Sequence, residues 1–350
     1  MITRREISIA FVTAALWLAA LAAGARALAV DSQSIDPPGN DTGGIVPDMD
    51  AAAYSGRLAV DGRATAGTVD HGSFPLQDER ALARALEPAM LAELSPDAAE
   101  ERFKAWLQAA GGERTALRSI LPGPGWFQAR LVVASDEESM TADSRLGGAY
   151  GKAYAQILET LPQVRASAAS VERVLSAWWA TIPETERPRG GTVAALQKSE
   201  RWIHSRSQLQ YSHRYALDVF FTSVKRNGVA ETGPLIRSMS RGIVVASSGD
   251  WKGGDTPASY SGGGLSPRAG NGVIVYCPDD GRYYAYFHLA SVTVSPGSLV
   301  GAGTVLGPGG NTGTNARRKG HGAHVHLEVH EPDGSAWTSY AIRDFILGMK

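Results

Sequence analysis

Disulfide bonding is the first thing this sequence cannot offer, because its 350 residues include a single cysteine, Cys277. One thiol closes no intrachain disulfide and supplies no thiolate cluster for a metal. Any metal must therefore be held by histidine and carboxylate side chains. Cys277 ends the run Gly272-Val-Ile-Val-Tyr-Cys277, which reads as a strand with a small buried thiol rather than a nucleophile. An excess of one charge is also missing: the formal net charge is −1, and the longest basic run is Arg317-Arg318-Lys319. That excludes the electrostatic footprint of a nucleic-acid binder, and the run reads as a solvated loop. The Gly-x-Ser-x-Gly elbow of many serine hydrolases is absent too.

A long apolar run occurs only near the start, from Ile7 to Ala23, after Arg4 and Arg5 and before the small-residue site Ala25-Arg26-Ala27. This is the layout of a secretory signal peptide over residues 1–27, with an uncleaved N-terminal anchor as the alternative. Export to the periplasm or beyond is expected, with membrane contact only through that segment if it is uncleaved. Residues 28–75 mix Gly, Asp, Ser and Pro and read as a linker that includes His71.

Residues 76–190 carry helical periodicity and read as an accessory or propeptide-like helical domain. Ser95-Pro96-Asp97 offers a cap, a first-turn proline and an acid near the positive helix end, while Gly111-Gly112 supplies a stop. Phe103, Trp106, Leu107 and Ala110 form one apolar stripe between them. Further helices are expected at Asp78 to Leu94, Gly148 to Leu161 and Ala166 to Ala180, with Trp178 and Trp179 packing at a helix end. Residues 191–350 change to short alternating runs split by glycine, at 215–221, 242–246, 272–276, 283–288, 291–294 and 324–329. Close spacing without intervening helices predicts an antiparallel sheet, so the fold class is α+β: a helical region followed by an antiparallel β domain. Val300-Gly-Ala-Gly-Thr-Val-Leu-Gly307 has no helical pattern after it, and its glycines read as turn positions.

The chemistry concentrates in His321-Gly-Ala-His-Val-His-Leu-Glu-Val-His330. His324 and His326 are two apart in a strand and point to one face, where a metal could touch both or one. Asp218 lies among apolar residues of another strand, where an unpaired carboxylate is costly and a metal would offset that cost. Zinc suits such a donor set, with three protein ligands and one open position. A third histidine near Asp218 comes from His204 or His213. By parity Glu328 shares the face of His324 and His326, although an ordinary strand-end charge is the simpler expectation. His321 and His330 read as structural or solvent-exposed, and Tyr283, Tyr284 and Tyr286 as packing residues.

The order of an early histidine, Tyr215-Ala-Leu-Asp218, Tyr286-Phe-His-Leu289, Asn311-Thr-Gly313 and Gly322-Ala-His-Val-His-Leu-Glu-Val329 resembles the lysostaphin-type zinc endopeptidases over about residues 192–345. In the compact form of that pattern the first histidine lies four residues before the aspartate, and here that position is Arg214. The segment opened by His204-Ser205 is similar to the staphylolysin and β-lytic branch, which has a longer loop there. The resemblance implies zinc ligands at Asp218 and His326, with His204 favoured over His213 as the first ligand, catalytic histidines at His288 and His324, and peptide links of peptidoglycan as substrate. A catalytically inactive relative that binds envelope polymer or activates another hydrolase is the alternative it leaves.

Overall fold

The computed structural model describes residues 83–112, 119–202, 214–228 and 230–348. The expected signal segment and linker, His204 and His213 lie outside them. All described residues belong to one compact unit, His71–Lys350.

The first half is helical: α1 Pro88–Leu91, α2 Pro96–Ala109, α3 Pro124–Arg130, α4 Ala134–Ser144 and α5 Gly148–Ala180. In α2 the Ser95 hydroxyl accepts from the Ala98 N–H at 3.3 Å, as the capping signal predicts. Its inward stripe buries Phe103 and Trp106, and Leu107 and Ala110 pack against the same core. After α2, Gly111 and Gly112 have φ of 65° and 76°, conformations in which glycine is favoured. The break expected between Leu161 and Ala166 does not occur: α5 is one 33-residue helix running through Pro162. A proline there costs about 3 kcal/mol. The buried stripe Tyr154, Ile157, Leu161, Val164, Val171, Val174 and Trp178 keeps its phase across the proline, and that continuous packing holds the helix together. Two helices, α3 and α4, were not legible in the sequence, α4 because its composition is mostly polar.

The second half contains β1 Arg201–Trp202, β2 Leu217–Phe221, β3 Lys225–Asn227, β4 Ala230–Thr232, β5 Leu235–Arg237, β6 Gly242–Ser248, β7 Asn271–Cys277, β8 Arg282–Leu289, β9 Leu299–Val300, β10 Val305–Pro308 and β11 His324–His330, then helix α6 Ser339–Gly348. Seven strands form the main sheet in the order β1-β2-β11-β8-β7-β6-β9, with every pairing antiparallel. Residues 291–294, expected as a strand, form an irregular segment instead. The β3–β4 hairpin carries mostly polar, exposed residues and so gave no alternating signal.

Both sheet faces are covered. Ile243, Ile274, Tyr276, Tyr283 and Phe287 share a core with Phe127, Trp178 and Trp179 of the helical half. Leu217, Val219, Tyr284, Tyr286, Val325, Leu327 and Val329 face the opposite side, against Ile342 and Ile346 of α6. Cys277 is buried in a strand that is buried along its whole length. Polar contacts fasten the helical layer to the sheet. Arg130 donates to Glu172 at 2.8 Å and to the carbonyls of Glu331 and Pro332 at 3.2 and 2.9 Å.

Candidate metal and catalytic site

Register brings the site residues together. On β11, His326 pairs with Asp218 of β2, and His324 pairs with Phe220. Cross-strand partners share a face, so strand alternation puts Asp218, His324, His326, Glu328 and His330 on the side of the sheet toward the helices. His326 Nδ1 lies 2.8 Å from Asp218 Oδ1, and His324 Nε2 lies 3.8 Å from the same oxygen. Asp218, His324 and His326 are all buried.

His288 reaches this group by a different route. Simple alternation from Phe287, which stacks on His326, would turn His288 to the opposite face. In the β7–β8 pairing Gly272 sits opposite Phe287 and Asn271 opposite Leu289, so His288 is the extra residue of a bulge. Its φ is 64°, the one positive value among the described non-glycine residues. The bulge re-aims the imidazole onto the site face, 4.7 Å from the His324 ring and 5.6 Å from the His326 ring, centroid to centroid.

Each ring is fixed by a second contact. His288 Nδ1 donates to the Thr312 carbonyl at 2.7 Å, and His324 Nδ1 donates to the Gly322 carbonyl at 3.0 Å. In these tautomers both Nε2 atoms are left as bases. Thr312 is itself held, its hydroxyl donating to Leu289 O and accepting from Asn271 N–H. The next residue must be glycine: Gly313 has φ of 100°, and a Cβ there would meet Arg268 O at 2.1 Å. Asn311-Thr-Gly313 thus supplies the carbonyl that orients His288, a role the sequence did not disclose.

His326 differs from the other two. Its Nδ1 faces Asp218, and its Nε2 donates to Glu328 Oε1 at 3.0 Å, while Glu328 Oε2 accepts from His330 Nε2 at 2.8 Å. Glu328 is therefore not a strand-end charge but a carboxylate turned toward the site. Burial opposes a cation on His326, but the Asp218 and Glu328 carboxylates outweigh it and raise the imidazole to about 10. Burial likewise opposes ionisation of Glu328, yet hydrogen bonds from His326 and His330 hold it down to about 2. His324 and His288 go the other way: burial lowers both, and neighbouring imidazoles add to the shift.

A site that draws positive charge onto His326 Nδ1 beside a carboxylate oxygen fits a divalent cation as well as a proton. Imidazole nitrogen and carboxylate oxygen are zinc donors, and the Glu328 contact would fix the tautomer of a metal-bound His326. Among the described residues there is no group of three or more donors able to hold a metal. Both candidates for a third donor, His204 and His213, lie outside them.

The lowered values for His324 and His288 carry a pH prediction. A base must be neutral to work, and a depressed pKa keeps it neutral to lower pH. The acid limb of kcat/KM should therefore fall below the ordinary histidine value of 6.5. An acid limb above that value in a measured pH–rate profile would contradict the assignment.

The site opens into a cleft of about 450 Å³ whose walls come from both halves: Leu131, Asp136, Met140 and Tyr154 on one side, and Tyr215, Phe287 and the histidines on the other. The helical wall was not foreseen. His321 is exposed, with its ring 5.8 Å from that of His324, and His330 is buried. Tyr283, Tyr284 and Tyr286 are packing residues in the cores, with the Tyr286 hydroxyl accepting from the Met239 N–H.

Comparison with known proteins bears on the second half of the chain. Residues 227–338 match the family model of Peptidase family M23, a span that includes His288, His324 and His326 and begins downstream of Asp218. Among solved structures, the lysostaphin catalytic domain from Staphylococcus simulans is 18% identical over 44% of this chain and 89% of its own, with a TM-score of 0.26. A second structure, of the antimicrobial peptidase lysostaphin from the same organism, is 18% identical over 46% of this chain, which spans 57% of that chain, with a TM-score of 0.29. A putative glycyl-glycine endopeptidase, lytM, from Ruminococcus gnavus is 14% identical over 65% of this chain and 87% of its own, with a TM-score of 0.30. Among curated proteins none matches the chain. The resemblance read from the motif order is borne out for the C-terminal part of the chain, where residues 227–338 match the model of Peptidase family M23.

Proposed function

We propose that this chain is an exported zinc metalloendopeptidase that hydrolyses peptide bonds in peptidoglycan cross-links or cross-bridges. The observation that carries the reading is the convergence of two neutral imidazoles, each with a bare Nε2, on a buried His326–Asp218 pair whose surroundings favour a cation.

Zinc would be held by Asp218, His326 and His204, with His213 the alternative to the last. The described part of β1 ends at Trp202, whose partner Phe220 lies two residues from Asp218, and His204 lies two residues beyond Trp202. This count favours His204. When bound, zinc would supply Lewis acidity, bringing the pKa of a coordinated water toward about 7 and polarising the scissile carbonyl.

The remaining work belongs to the protein. His324 Nε2 takes the proton of the attacking water, which its lowered pKa and its Nδ1–Gly322 bond prepare it to do. His288 Nε2 starts as an acceptor in the observed tautomer, so it donates to a developing oxyanion or a leaving amine only after gaining a proton. The imidazoles lie close enough to disfavour two charges at once, so the pair takes up one added proton at a time.

Among the described residues no helix is long and apolar enough to cross a membrane, and export rests on the segment over residues 1–27. The test is digestion of purified peptidoglycan by the zinc-loaded protein, with new amine termini counted. The expected result is their steady release; none released by a fully zinc-loaded chain would remove the substrate assignment.

A further inference from the structure

The loop before β7 supports His288 twice over. The His288 N–H donates to Ala269 O at 3.0 Å, which fixes the backbone of the bulge, and His288 Nδ1 donates to Thr312 O at 2.7 Å. The Thr312 segment leans on the same loop. Thr314 N–H donates to Pro267 O at 3.0 Å. Gly270, with φ of 67°, lies so near Thr312 that a Cβ there would meet the Thr312 carbonyl carbon at 2.4 Å. Both supports of the imidazole therefore depend on where residues 266–270 sit. The loop closes on itself through Gly270 N–H to Ser266 O at 3.0 Å, and the Trp251 indole steadies Pro267. These bonds shape the loop, and its remaining anchor comes from the other layer.

That anchor is Arg268. Its N–H donates to the Tyr154 hydroxyl at 3.3 Å, its Nε to the Tyr150 hydroxyl at 3.2 Å and its Nη2 to Asp143 Oδ1 at 2.9 Å. Tyr150 and Tyr154 stand four residues apart on α5 and so share a face, while Asp143 comes from the end of α4. The two helices meet closely because residue 151 is glycine, where a Cβ would meet Ser144 O at 2.7 Å. Asp143, Tyr150 and Tyr154 are all buried, so the anchor is set in the body of the helical half. A carboxylate as buried as Asp143 needs a cationic partner, and Arg268 supplies it from the loop that carries Ala269.

We propose that Arg268 is a positioning residue for His288: through it Asp143, Tyr150 and Tyr154 hold the loop that aims the imidazole, which makes the helical layer a working part of the active site. The inference rests on the peptidase reading for what His288 does, but not for how His288 is held. A misplacement of about 1 Å costs on the order of 10²-fold in rate, so the clamp acts on kcat. Arg268 also lines the cleft. A direct contact with substrate is therefore the rival role, and it would act on KM instead. Removal of the helical half would take the clamp with it.

The experiment compares the zinc-loaded full chain with three variants. Arg268→Met alone would strand the Asp143 carboxylate, so it is combined with Asp143→Asn. Tyr150→Phe removes one bond and keeps the ring, and Arg268→Lys keeps the charge. Proton NMR follows exchange of the hydrogen-bonded His288 Nδ1–H, assigned by its loss in His288→Ala, with the His324 Nδ1–H as internal control. In the double variant the His288 proton should exchange about tenfold or more faster, as local opening predicts, while the His324 proton keeps its wild-type rate. On soluble peptidoglycan fragments kcat should fall about 10–100-fold, with KM and bound zinc unchanged. Tyr150→Phe and Arg268→Lys should lie between the double variant and wild type. Unchanged exchange at His288, or equal acceleration of both protons, overturns the inference, and so does a loss confined to KM. If the wild type cleaves nothing, the peptidase reading fails and the exchange rates alone decide whether Arg268 holds His288.

Discussion

Replacing His324 with alanine is expected to leave bound zinc at its wild-type level and to lower kcat by about 10²–10⁴-fold, the usual worth of a positioned general base. The reasoning starts from charge. His326 sits between two carboxylates and favours a cation, whereas His324 is buried, neutral and shifted below the ordinary histidine range. Distance alone separates them less sharply. A tetrahedral zinc with bonds near about 2.0 Å holds its donor atoms about 3.3 Å apart, and the Asp218 oxygen lies 2.8 Å from His326 Nδ1 and 3.8 Å from His324 Nε2. Metal analysis of the variant beside its hydrolysis rate therefore decides the role. Zinc lost from His324→Ala would make that residue a ligand.

Asp218→Ala and His326→Ala should instead abolish both zinc binding and hydrolysis, because each removes a proposed zinc donor. Glu328→Gln gives the graded counterpart. Its amide still accepts one hydrogen bond, but it brings no charge and cannot take bonds from His326 and His330 through two carboxylate oxygens. Zinc affinity should fall by about 10–100-fold, the range seen when a ligand's supporting contact is lost. Competition with a chromogenic chelator measures this without reference to activity. Unchanged affinity in Glu328→Gln would separate Glu328 from the metal, and zinc retained by His326→Ala would contradict the ligand set.

The sheet was legible because its strands carry period-two apolar patterns, and the shared face of His324 and His326 follows from that period. His288 was legible as a functional residue only through the motif order. Its orientation depends on a bulge that alternation cannot foresee, and Thr312 acts through a carbonyl that every residue type possesses. The role of Glu328 is visible in the parity of β11, but choosing it over a strand-end charge required knowing that the helical layer buries this end of the strand. The same layer brings Asp136 to the cleft, a contact across the fold with no local signature. Proline 162 misled in the opposite sense: a local breaker was overruled by an apolar stripe that continues on both sides of it.

The most direct test of the account is the zinc stoichiometry of the purified wild-type chain after equilibration with the metal. The predicted result is one tightly bound zinc per chain, removed by a chelator together with hydrolysis and regained with it. Near-zero zinc would contradict the account and favour a catalytically inactive, envelope-binding or hydrolase-activating protein of the same fold.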